Sequence, residues 1–147
     1  MKNPRDNMVY VVSLSKASIK EDGDYTWIDV VEKDRCYFHP VGKGWPKEPP
    51  NYIAFRYDGE LQSVHYIESH IVVTDPSSVN KNWLKSDYNQ FLYKLGPAMK
   101  PSSTVKSGRI WNQHHKCIID TLLSGVCKTI RDAEIETNRR LVVAGLD

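Results

Sequence analysis

The sequence predicts an α+β fold: a curved antiparallel sheet or partial β-barrel followed by two C-terminal helices. Three observations predict it. Short β-branched and aromatic runs fill the first two thirds of the chain, one pair of them flanks an Asp-Gly turn, and helical periodicity is confined to the last third. The order is strands first and helices last, not strand-helix alternation, which disfavours a doubly wound parallel sheet. A length of 147 residues suits one domain spanning 1–147.

Residues 8–14 (Met-Val-Tyr-Val-Val-Ser-Leu) read as a buried strand, rich in residues that fit a pleated surface. Residues 15–24 are polar and read as a loop or short helix. Residues 25–32 alternate and read as extended, with Trp27 as the largest anchor, and 35–40 continue as a short edge strand. Two glycines and three prolines in 42–50 forbid regular structure.

Residues 52–57, the pair Asp58-Gly59, and residues 60–73 form the clearest local signal, a β-hairpin with a two-residue turn. Asp-Gly supplies the positive φ angles that a type I′ turn demands. Residues 80–87 read as a loop or short helix and 90–95 as a strand ended by Gly96-Pro97. A loop follows over 99–108. Ile118, Ile119, Leu122 and Leu123 fall on one helical stripe broken at Gly125. Thr129 and Asp132 have capping-box spacing and open a second helix through about Leu141.

A strict two-residue turn pairs Tyr57 with Glu60, Phe55 with Gln62 and Ile53 with Val64. One hairpin face then holds Tyr52, Ala54, Arg56, Leu61, Ser63 and His65. Small Ala54 and Ser63 flanked by Tyr52, Arg56 and His65 either leave room for a ligand or admit a closely packed helix.

The net charge of +2 hides an asymmetry: residues 81–116 hold seven cations against one acid, Asp87. Lys81, Lys85, Lys94, Lys100, Lys106, Arg109 and Lys116 would neutralise phosphates. Trp83, Tyr88, Phe91, Tyr93 and Trp111 lie among them, and flat rings stack on bases. Phe91 and Tyr93 share a strand, so some of these rings belong to the core. Trp27, Trp45, Tyr37 and Tyr57 are further candidates for an aromatic base pocket; Trp45, in its Gly/Pro loop, is either a pocket lip or a lid over the sheet. DNA or RNA is therefore the expected partner.

Two other readings compete. Asp29, Glu32 and Lys33, with His65, His114 and His115 as bases, offer groups for a metal-dependent nuclease, although on a strand Glu32 would point away from residues 29 and 33. Cys36 and His39, with His114, His115 and Cys117, offer metal ligands, but their spacing matches no regular zinc pattern, so no metal and no cofactor is expected. A protein partner meeting the basic stretch is the third reading. No serine elbow, Cys-x-x-Cys or phosphate-cradling glycine loop is present. Three cysteines of irregular spacing, a polar N-terminus and no long apolar run lead to an expected cytoplasmic, non-membrane protein.

Residues 51–62 (Asn-Tyr-Ile-Ala-Phe-Arg-Tyr-Asp-Gly-Glu-Leu-Gln) resemble a small bacterial module of the PUA-like kind. Tyr93-Lys-Leu-Gly-Pro97, Leu122-Leu123 and Thr129-Ile-Arg-Asp-Ala133 add to the resemblance, which spans residues 8–135. It implies a curved β-barrel and a non-enzymatic reader of RNA or modified DNA bases, linked to restriction or phage defence. It carries over no individual site residue.

Overall fold

The computed structural model describes residues 4–109 and 114–145. Its strands are β1 (Met8–Ser13), β2 (Cys36–Pro40), β3 (Tyr52–Tyr57), β4 (Glu60–Val73), β5 (Gln90–Leu95) and β6 (His114–Ile118). Its helices are α1 (Trp27–Glu32), α2 (Ile119–Leu123) and α3 (Ile130–Val143). The strand order is β2-β5-β4-β3-β1-β6. The α+β class and the two C-terminal helices are as the sequence predicts.

The sheet is mixed, because β1 and β3 run parallel while the other pairings are antiparallel. A hairpin joins neighbouring antiparallel strands, whereas a parallel pair needs a long crossover. Residues 14–51, which separate β1 from β3, are that crossover.

The chain divides into two compact units. The first comprises Met1–Ser13, Pro50–Tyr66 and Pro97–Asp147; the second comprises Leu14–Pro49 and Ile67–Gly96. In the first unit, Val9, Val11, Ala54, Leu61, Val64 and Cys117 pack with Leu122, Ile130 and Ala133 of the helices. Helix α3 buries Ile130, Ala133 and Thr137, one stripe at helical spacing. Thr129 caps its start, accepting from the Asp132 amide at 3.0 Å. In the second unit, Ile19, Val30, Phe38, Trp83 and Leu92 form the core, with Trp27 and Leu84 against it.

Three expectations are corrected. Residues 27–32 are helical, not extended: Thr26 Oγ1 accepts from the Asp29 amide at 3.1 Å, and the Asp29 carboxylate accepts from the Thr26 amide at 3.0 Å. This reciprocal capping box overrides the β propensity of Trp27, Ile28, Val30 and Val31. Residues 114–118 form β6, so Ile118 ends a strand and caps α2 instead of belonging to it.

The third correction concerns the hairpin. The turn itself is as predicted, with φ of 55° at Asp58 and 77° at Gly59. Tyr57 faces Glu60 and Arg56 faces Leu61, but a bulge then leaves Gln62 over, so Phe55 faces Ser63 and Ile53 faces His65. One inserted residue flips the faces beyond it. Ser63 and His65 therefore join Ile53 and Phe55, while Val64 and Tyr66 join Tyr52 and Ala54.

Candidate functional site

The seven cations of the basic segment divide between the units. Lys81, Lys85 and Lys94 belong to the second; Lys100, Lys106, Arg109 and Lys116 belong to the first, all exposed. Lys100 Nζ donates to the Gln62 carbonyl at 3.0 Å, and Lys116 projects from β6 opposite Tyr10. Trp111 lies outside the described residues.

In the second unit the loop between β4 and β5 is an organised structure. The Asp75 carboxylate accepts from the Ser77 amide at 3.1 Å and from the Ser77 hydroxyl at 2.7 Å, closing a 3-10 turn over Pro76–Ser78. The Ser77 hydroxyl holds the Asp75 carboxyl below the usual carboxylate range. Asn80 Oδ1 accepts from the Asn82 amide at 2.9 Å, and Ser86 Oγ donates to the Thr74 carbonyl at 2.6 Å. The loop's anchor is Trp83, only 2% exposed, which packs on Phe38 at 5.4 Å and donates its indole N–H to Asp34 Oδ2 at 2.8 Å. Buried indoles usually satisfy their N–H in this way.

The loop so held presents Lys81 and Lys85 on the wall of an open groove of about 510 Å³. Lys20, Glu21, Ser77 and Leu84 complete the lining. Lys20 Nζ donates to the Lys81 carbonyl at 2.5 Å, tying this third lysine to the loop. Three lysines against one glutamate give the lining of this concavity a net positive charge.

One exposed aromatic ring follows the groove's lysines closely along the chain. Tyr88, three residues beyond Lys85, is 39% exposed, and Lys43 Nζ sits 4.7 Å from its ring centroid. Lys43 lies between Gly42 and Gly44 in a run of three left-handed residues, with φ of 82°, 56° and 88°. That reversal lays half-buried Trp45 on His39, ring centroids 4.8 Å apart and planes within 11°. His39 is buried; its Nδ1 lies 2.7 Å from the Pro40 carbonyl and its Nε2 2.5 Å from the Tyr93 hydroxyl. A carbonyl only accepts, so Nδ1 carries a proton and donates to Pro40. Trp45 thus folds back over the sheet. Tyr37, 6.3 Å from Trp45, also meets Trp27 at 5.9 Å, while Trp27 is packed on Phe38 at 4.9 Å.

The structure brings Trp27, Tyr37 and Trp45 together in one unit, and Tyr57 belongs to the other. It does not assemble Tyr52, Arg56 and His65 on one face. The bulge turns His65 to the opposite face, where its Nε2 is 2.8 Å from Ser63 Oγ and its ring meets Phe55 edge-on at 5.7 Å. Tyr52 meets Tyr66 edge-on at 5.5 Å, and burial lowers the pKa of half-buried Arg56. Ala54 is fully buried in the cluster that receives Ile130 and Ala133 of α3, so its small size admits a helix.

The nuclease candidates are engaged in structural contacts. Asp29 caps α1 and pairs with Lys33 at 3.4 Å, the Thr26 backbone bond chiefly holding its pKa down. His115 is buried and donates from Nδ1 to Glu134, which also receives Arg131 at 2.9 Å. Cys36 and His39 fall in one unit, His114, His115 and Cys117 in the other. Among the described residues no three His, Cys, Asp or Glu side chains form a group that would hold a metal ion. No helix among them is long and apolar enough to cross a membrane.

Sequence reasoning missed Lys20 and Lys43. Lys20 stands beside the acids Glu21, Asp22 and Asp24, which cancel it in any local charge count, and Lys43 lies in a glycine-proline loop. Comparison with protein-family models, curated proteins and solved structures found no match for this chain.

Proposed function

We propose that this chain is a non-enzymatic nucleic-acid-binding module of the PUA-like kind. Phosphates sit on the groove of Lys20, Lys81 and Lys85, and an unpaired or modified base stacks on the neighbouring rings of Tyr88 and Trp45. The observation that carries this reading is the groove itself: Lys20, Lys81 and Lys85, from two chain segments, line one concavity beside a loop fixed by buried Trp83. Lysines give salt-sensitive attraction to phosphate, and exposed rings add stacking that tolerates any base. The charge asymmetry of residues 81–116 and the resemblance of residues 51–62 support the same reading.

The test is fluorescence anisotropy with single- and double-stranded DNA and RNA probes, at two salt concentrations, with and without Mg²⁺. Expected is salt-sensitive binding, strongest for single strands, that persists without Mg²⁺ and leaves the probe intact. Absence of binding to every probe at low salt refutes the proposal. Mg²⁺-dependent probe degradation favours the nuclease reading.

A further inference from the structure

Strand β4 has two halves with different surroundings. Residues 60–66 pair with β3 on one side, but that pairing ends at Tyr52 opposite Tyr66. Beyond it, β4 pairs with β5 alone, through Val73 opposite Gln90. Among the described residues, then, 67–73 have a second edge that no strand covers. A row of unpaired backbone donors and acceptors is a template for another strand.

Natural sheets blunt such edges with lysine, proline, bulges or a covering element. The outer strand β2 ends in Pro40 and is packed by α1, and β6 is packed by α2 and α3. On β4 the bulge between Ile67 and Ser69 blunts only the start of the edge. The regular stretch 69–73 (Ser-His-Ile-Val-Val) contains no lysine, arginine, carboxylate or proline. Instead it displays two large aliphatic side chains, Ile71 at 55% and Val72 at 56% exposure.

We infer that this edge pairs with the same edge of a second copy of the chain, antiparallel about a two-fold axis at Ile71. In that register Ile71 faces Ile71, His70 faces Val72 and Ser69 faces Val73, so the two Ile71 side chains cover one another on one face and Val72 lies against His70 on the other. Glu68 falls opposite Thr74, which keeps the two acids apart. Residues 69–73 carry no lysine, arginine or carboxylate, so two copies of the segment bring no like-charged pair of these groups together across the axis. Isologous pairing of this kind is the commonest route to a closed dimer. Five paired residues bury far less than the 1,200 Å² or so of a standard stable interface, so the association is weak and concentration-dependent. The inference is independent of any nucleic-acid contact.

The experiment combines sedimentation velocity over a concentration series with cysteine cross-linking in a Cys36→Ser background. Directly opposed strand residues have Cα atoms about 4.5–5.5 Å apart, within disulfide reach. Ile71→Cys should therefore cross-link under mild oxidation, while Val79→Cys, exposed elsewhere on the second unit, should not. Ile71→Lys and Val72→Lys, both at exposed positions that leave the core intact, should shift the chain to monomer. A chain that stays monomeric at high concentration overturns the inference. So does a dimer in which Ile71→Cys cross-links no faster than Val79→Cys.

Discussion

Removing the lysine groove should change the salt dependence of binding by an amount fixed by the number of ammonium groups. Lys20, Lys81 and Lys85 line the groove, and Lys43 lies over the ring of Tyr88, three residues beyond Lys85. Each phosphate neutralised on a single strand adds about 0.7 to the slope of log affinity against log salt, so four contacts give a slope of about −2.8. Between 50 and 200 mM salt that slope weakens binding about 50-fold, and the triple variant Lys20→Gln/Lys81→Gln/Lys85→Gln, left with one contact, weakens only about threefold. Anisotropy titrations at four salt concentrations measure both slopes. A companion variant with arginine at the same three positions keeps the charge and should keep the slope. An unchanged slope in the glutamine variant, or an equal loss in the arginine variant, refutes the assignment of phosphates to this groove.

Trp83→Phe keeps a buried ring but removes the donor to Asp34, costing about 1–3 kcal/mol in urea unfolding. Trp83→Ala also opens a cavity, costs about 3–5 kcal/mol and should weaken binding by freeing Lys81 and Lys85. Ala54→Leu overpacks the site where α3 meets the sheet and should cost about 1–3 kcal/mol with affinity for nucleic acid unchanged. Lost affinity at unchanged stability would instead mark Ala54 as a ligand contact. Glu136, held at about 2 by hydrogen bonds first from Arg139 and then from Arg140, has a folded pKa below its ordinary 4.5. Its contribution is therefore complete above 4.5 and lost as pH falls toward 2; Glu136→Gln should flatten that limb of a stability-pH curve.

Legibility in the sequence followed the range of the forces involved. The hairpin turn, β1 and β5 were readable because positive φ at Asp-Gly and β-branched runs act locally. Helix α1 was readable by the rule that found α3: Thr26 and Asp29 have the same spacing as Thr129 and Asp132. The β-rich composition of 25–32 masked it. Strand β6 carries His-His-Lys, which no periodicity marks as a strand; its place is set by pairing with β1. The bulge at Gln62 was invisible for a related reason. It keeps Ala54, Leu61 and Val64 in one core, a constraint imposed by helices far along the chain.

The candidate site exposes the limit of counting aromatics between lysines. Trp83, Phe91 and Tyr93 are buried, and Tyr88 is the exposed ring among the described aromatics of the segment. On the proposed nucleic-acid reading, buried and exposed rings contribute at different stages of binding. Trp83 fixes the loop in the free chain, so Lys81 and Lys85 lose less side-chain and backbone freedom when an anion arrives, which favours affinity without adding a contact. On the same reading Tyr88 and Trp45 would add contact area only once a base is present. Truncating Trp83 therefore acts through pre-organisation and truncating Tyr88 acts through stacking, and only the first of these also lowers the stability of the chain without ligand.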